Sequence, residues 1–221
     1  FRPGERWMYG ASADVMGAVA EVVSGKRYGD FLREEIFSPL GMEDTGFFVP
    51  PQKRDRFCAM YRMTPDGLAP QTGAHLCIQF GYEHDPAFQS GGGGLVSTID
   101  DYAKFAQMLA NGGEYGGARI LSPRTVRYMT QNQLTPAQRD SIPWDSLRGH
   151  GYGNFMRVLL EEGQAPTPGA RGEFGWDGWL GPYFCVSPEA GLVLLFMMQK
   201  TDTGTVDVTR KFRSLAYAAL S

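Results

Sequence analysis

Apolar residues recur every third or fourth position at several places in the first half of the chain, and that spacing predicts helices. From Ala13 to Ser24, Val15, Val19, Val22 and Val23 fall at helical intervals, with Ser12 expected as N-cap and Gly25 as the stop. A second helix is predicted from about Tyr28 to Phe37, ending before Pro39. The third has Ser97 or Thr98 as cap, Asp100 and Asp101 in its first turn, and an apolar stripe of Tyr102, Phe105, Ala106 and Leu109. Gly112-Gly113 ends it. A short fourth helix opens Ser122-Pro123, a cap followed by proline at the first helical position.

After about residue 150 the pattern becomes that of strands. Tyr152 to Leu160, Pro182 to Ser187 and Leu192 to Gln199 are rich in aromatic and branched apolar residues. Pro188-Glu189-Ala190-Gly191 joins the last two as a hairpin. Val206 to Leu220 reads as a closing helix whose Val208, Phe212, Leu215 and Ala219 face one way. Helices, then a meander, then a helix is an α+β order. It divides the chain into a mostly helical part, 1–149, and the strands and helix of 150–221. The stretches 50–90 and 135–149 carry prolines and glycines with few periodic apolar positions and read as loops, which in compact proteins often wall or cover a site.

Composition narrows the function. With 221 residues, 43% of them hydrophobic, the chain can build one sizeable core. A formal net charge of −3 and the lack of a basic stripe argue against a nucleic-acid surface. No apolar run is long enough to span a membrane. Cys58, Cys77 and Cys185 show no CxxC spacing and read as ordinary thiols.

Several familiar chemistries are missing. Gly10-Ala11-Ser12-Ala13-Asp14 fails the GxSxG pattern at its last position, and HExxH and a phosphate-binding glycine loop are absent. None of the eleven serines has lysine three residues later. His75, His84 and His150 are scattered over loops and read as structural imidazoles. Ser90-Gly91-Gly92-Gly93-Gly94-Leu95 has no P-loop lysine, so close backbone packing near a site is the expected role of its glycines. Trp7-Met8-Tyr9-Gly10 precedes the first helix, where the tyrosine on its own reads as aromatic packing. Gly175-Trp176-Asp177-Gly178-Trp179 opens a strand, with glycine at a bulge or close approach.

These last two motifs gain meaning from the ordered text around them. Three blocks carry it: FRPGERWMYGASADVMGAVAEVVSGKRYGDFLREEIFSPLGMEDTGF, SGGGGLVSTIDDYAKFAQMLANGGEYGGARILSP and GEFGWDGWLGPYFCVSPEAGLVLLFMMQ. In them the chain resembles the serine β-lactamase/penicillin-binding-protein superfamily, in particular the class C β-lactamase-like esterases called family VIII. The resemblance implies a β-lactamase/transpeptidase-like fold, an antiparallel sheet with a terminal helix plus a helical subdomain, with both parts of the chain belonging to one such domain. It also implies an upstream Ser-x-x-Lys segment outside this chain, because Phe1 stands only eight residues before Tyr9. That segment is the expected partner. Without it, the late strands, Leu192–Phe196 above all, are expected to expose apolar edges.

By resemblance, Tyr9 is the tyrosine that moves protons and Trp176-Asp177-Gly178 replaces the Lys-Thr-Gly strand. Trp179 would donate its backbone N–H to the oxyanion hole. The residue types suit that chemistry. Tyrosine, with a pKa near 10, is a poor base unless a neighbouring ammonium favours its phenolate, so Tyr9 would need the absent lysine. Two departures matter. Ala11 stands where β-lactamases carry an asparagine, and Trp176 removes the cation that would hold a β-lactam carboxylate. Both point to uncharged ester substrates, and an anion at Asp177 would repel acidic ones. The expectation is therefore a carboxylesterase-like serine hydrolase of small esters or amides, with no cofactor or metal. A β-lactamase or D-amino-acid peptidase/amidase is the first alternative, and a non-catalytic binding homologue the second.

Overall fold

A computed structural model of the chain describes residues 1–203 and 207–220. Two compact units emerge. One holds 9–104 with 199–202; the other holds 1–8, 105–198 and the chain from 203 onward.

The first unit begins with α1 (Ser12–Ser24), which closes on Gly25 in the left-handed conformation, φ 68°. The helix starts one residue earlier than expected. Ala11 is the N-cap, Ser12 lies inside the first turn, and no side chain caps the helix. The second predicted helix passes through Pro39 instead of stopping before it. α2 (Tyr28–Leu32) runs into a π-helical turn, Arg33–Phe37, and on into α3 (Ser38–Leu40), which ends at Gly41 with φ 65°. The N–H of Ser38 reaches back five residues to the Arg33 carbonyl. This widened turn relieves the clash a proline ring makes with the preceding turn of a regular α-helix.

The stretch read as loop from 50 to 90 contains a 3₁₀ turn, Pro51–Arg56, and two small hairpins. These are β1 (Tyr61–Thr64) with β2 (Gly67–Pro70), and β3 (Ala74–His75) with β4 (Ile78–Gln79). α4 (Ile99–Ala110) follows, and the division between the units falls within it. Thr98 is its cap, its hydroxyl accepting the Asp101 N–H at 3.2 Å. Asp101 is buried and also accepts the Asp44 N–H at 2.7 Å, so this acid ties the 44–46 loop down as well as meeting the helix dipole.

In the second unit, a hairpin of β5 (Glu114–Tyr115) and β6 (Ala118–Arg119) precedes α5 (Pro123–Met129). Ser122 caps α5 as the sequence predicts, accepting the Thr125 N–H at 3.1 Å. α6 (Pro136–Asp140) lies inside the stretch read as loop. Thr135 and Gln138 form a reciprocal capping box at its start, a signal present in Thr135-Pro136-Ala137-Gln138.

Five antiparallel strands make the sheet: β7 (His150–Tyr152), β8 (Arg157–Leu159), β9 (Phe174–Asp177), β10 (Tyr183–Ser187) and β11 (Leu192–Phe196), in spatial order β11-β10-β9-β8-β7. The strand expected over 152–160 is split by a turn in which Phe155 takes φ 58°. The β10–β11 hairpin forms as predicted, with Gly191 at φ 61° in its turn. β11 is an apolar edge strand, paired among the described residues with β10 alone.

α7 (Asp207–Ala218) closes the unit; Val206, the predicted start, lies outside the described residues. Of the predicted stripe only Phe212 packs inward. Phe212, Ala216 and Tyr217 pack on Tyr183, Cys185 and Leu194, and Thr209 and Arg213 are buried, while Val208 and Leu215 are exposed. The polar residues go inward because Arg213 finds partners there. It donates to Glu173, to Tyr183 Oη at 2.7 Å and to Thr167 Oγ1 at 2.7 Å, and Tyr217 donates to the second oxygen of Glu173.

Candidate active-site elements

The sequence-predicted residues fall in two places. Tyr9 and Ala11 open the first unit, in the short segment leading into α1. Trp176, Asp177, Gly178 and Trp179 form the end of β9 and the turn after it, in the second unit.

Tyr9 is half exposed, at 50%. Ala11 is exposed and, as helix N-cap, offers the backbone only. Behind them α1 is held by the glycine run. Ser90 donates to the Asp14 carboxylate, and the Gly92 N–H reaches the same oxygen at 3.3 Å. A Cβ on Gly91 would sit 2.0 Å from the Ala13 carbonyl oxygen, so only glycine allows this approach. The run therefore serves close backbone packing, and Asp14 would repel any phosphate there.

β9 is the central strand, and its alternation sends Trp176 and Asp177 to opposite faces. Trp176 joins an aromatic cluster. Its ring centroid lies 5.4 Å from Tyr152 and 6.3 Å from Trp144, and Trp7 contacts the same two rings at 5.4 and 5.3 Å. Three of these four contacts are edge-to-face or nearly so, the arrangement aromatic quadrupoles favour. Trp7, two residues before Tyr9 in the chain, is thus a packing anchor that its sequence position alone did not reveal.

Asp177 points the other way, toward the face covered by α7. Its register partner is Tyr183, which belongs to that core, and Arg157 Nη1 donates to Asp177 Oδ1 at 2.7 Å. Arg157 is buried and stacks its guanidinium over the Tyr183 ring, 4.9 Å from the centroid. Asp177 is therefore ion-paired rather than standing alone against an acidic substrate. Its charge is matched by a buried arginine on the far side of the strand. The signal was a lone Arg157 inside the apolar run Phe155–Leu160.

Beyond Asp177, the Gly178 N–H donates to the Pro182 carbonyl at 2.8 Å, and the Gly181 N–H closes a turn onto Gly178 O at 2.9 Å. A Cβ on Gly178 would meet the Pro182 ring at 3.0 Å, a tight contact that the ring would have to yield by a few tenths of an ångström to accept. Trp179 is partly exposed, and its carbonyl accepts the Thr203 N–H at 2.9 Å.

His150 has a structural role. His150 is buried beside Arg157 and Arg213, with Nδ1 2.9 Å from the Arg148 carbonyl. Burial pushes its pKa down to about 4, so it is neutral near pH 7. A cavity of about 200 Å³ in the first unit is lined by Phe47, Phe48, Phe57, Asp44, Lys53 and Arg56 among others; neither Tyr9 nor Ala11 borders it. Hydrogen bonds from Arg56 and Lys53 hold Asp44 far below the usual carboxylate range. Among the described residues no cluster of three His, Cys, Asp or Glu could hold a metal ion, and no helix is long and apolar enough to cross a membrane.

The profile of the beta-lactamase family matches residues 1–219. The chain belongs to the beta-lactamase family. Its fold is the β-lactamase/penicillin-binding-protein fold, α+β as the sequence implied. A solved hydrolase with promiscuous acyltransferase activity, EstCE1, superposes with a TM-score of 0.79 at 26% identity, over 100% of this chain and 58% of that one. Protein Rv1367c of Mycobacterium tuberculosis is 31% identical over 211 residues, 93% of this chain and 52% of that protein. Esterase EstB of Burkholderia gladioli is 26% identical over 235 residues, 99% of this chain and 56% of that protein. This beta-lactamase-family chain therefore spans about half the length of the curated relatives it matches.

Proposed function

We propose that the chain supplies the proton-transfer tyrosine and the oxyanion strand of an esterase-type serine hydrolase. The acyl-enzyme would form on a serine carried outside these residues. Tyr9 acts as general base on that serine and then as general acid on the leaving alcohol, its phenolate favoured by the lysine three residues beyond the nucleophile. The Trp179 N–H shares the oxyanion with the N–H of the serine itself. An oxyanion donor of this kind is worth about 2.7–4 kcal/mol at the transition state. Gly178 sets the turn that aims Trp179, Trp176 walls the acyl site, and Ala11 leaves the substrate's flank without an amide partner. Asp177, locked to Arg157, is a positioning residue for the strand.

One observation favours esters over β-lactams: the strand's character around Trp176. An indole packed on Trp144 and Tyr152 stands where a β-lactamase would carry a cation, and the only charge on the strand end is tied to Arg157 on the opposite face. The substrate side is therefore uncharged and aromatic, a poor match for a β-lactam carboxylate and a good one for a short acyl ester. The relatives EstB and EstCE1, an esterase and a hydrolase by name, support the same choice.

The polypeptide encoded by the complete gene should hydrolyse p-nitrophenyl butyrate with a higher kcat/KM than nitrocefin. A higher value for nitrocefin overturns the esterase reading in favour of the β-lactamase one. No turnover of either, or of a D-alanyl peptide, would leave a non-catalytic binding protein.

A further inference from the structure

The stripe of α1 faces the wrong way for a helix of an isolated chain. At about 100° per residue, Val15, Met16, Val19, Val22 and Val23 fall within a sector of roughly 120°. All five are exposed: Val15 at 60%, Met16 at 50%, Val19 at 43%, Val22 at 83% and Val23 at 82%. The opposite face carries small and polar residues, and that face meets the rest of the unit. Gly17 lies against Gly91, Asp14 holds Ser90, and Glu21 accepts the Tyr28 N–H at 2.8 Å. A contiguous apolar stripe of this size on a soluble protein marks a surface that something covers.

We propose that this stripe seats a helix from the part of the polypeptide that the curated relatives carry and these 221 residues lack. Two observations select that occupant. Positions 15, 19 and 22, flanked by 16 and 23, follow the i, i+4, i+7 spacing of a helix–helix seam. The relatives also hold nearly as much chain again as the matched portion. A lipid surface fits less well, because helices that lie on membranes are rich in Lys and Arg on their polar face, and α1 contains neither. The inference does not depend on the catalytic role of Tyr9, so either can fail without the other.

Thiol labelling of the polypeptide encoded by the complete gene tests it. Cys58 and Cys77 are exposed and are first changed to serine; Cys185 is buried and stays. Val19→Cys and, separately, Val22→Cys are then reacted with a maleimide in buffer and in urea. A covered stripe reacts only through transient opening, so the native rate should fall roughly a hundredfold or more below the unfolded rate. Hundredfold dilution of the protein should leave that protection unchanged. Val23→Cys supplies a further position if one of the first two does not fold. Reaction near the unfolded rate at positions 19 and 22 overturns the proposal. Protection lost on dilution would assign the stripe to a second copy, and protection gained only with anionic phospholipid vesicles would assign it to a membrane; each also overturns it.

Discussion

Tyr9→Phe, made in the polypeptide encoded by the complete gene, should lower turnover of a short-chain p-nitrophenyl ester by at least about a hundredfold, the lower end for a positioned general base. The change removes one hydroxyl from a half-exposed ring and leaves the ring itself, so the thermal midpoint should hardly move. KM should change less than kcat, because the phenol is asked to move a proton rather than to bind substrate. His150 is no substitute for the tyrosine: it is buried and neutral, with Nδ1 held at the Arg148 carbonyl. Activity within a few-fold of the parent would remove Tyr9 from the mechanism.

The largest effect on stability is expected at Glu173. This carboxylate is 2% exposed and receives Arg213 and Tyr217; Arg213 is itself buried on the inner face of α7. Burial works against the Arg213 charge, but Tyr183 and Glu173 outweigh it and raise its pKa above the ordinary arginine value. Glu173→Ala leaves that cation without its partner in a dry interior, a change that typically costs about 3–5 kcal/mol. Urea unfolding should show the midpoint falling accordingly. Replacing Glu173 and Arg213 together with methionine should recover most of the loss, because an apolar pair needs no charge compensation. A loss below about 1 kcal/mol for Glu173→Ala would mean that the pair is solvated and does not hold α7 on the sheet.

How much of this could be read from the chain depends on what each signal encodes. Local chemistry was legible: the Ser122-Pro123 start of α5, the Gly112-Gly113 stop after α4, and the Pro188–Gly191 turn between β10 and β11 all depend on residues within a few positions of one another. The Thr135–Gln138 capping box was equally local and was hidden only by the prolines around it. Periodicity located α1 and α7 but did not show which face of each is buried, for one physical reason. A stripe shows that a helix has two unlike faces, not which neighbour each face meets. In α7 the ion pair of Arg213 with Glu173 draws the polar face inward, and in α1 the glycine run accepts only a small-residue face. The Arg157–Asp177 pair joins residues twenty apart on adjacent strands and is visible only once β8 and β9 are in register. Tyr9 and the 176–179 segment came from resemblance, since a tyrosine before a helix and an aromatic strand are by themselves ordinary packing.

The nucleophile can be located directly. The polypeptide encoded by the complete gene is incubated with a fluorophosphonate, digested, and the labelled peptide sequenced by mass spectrometry. The label is predicted on a single serine that lies outside the 221 residues and is followed three positions later by lysine. A label on any of the eleven serines within this chain, or none in a preparation that hydrolyses the ester, would contradict the acyl-enzyme assignment.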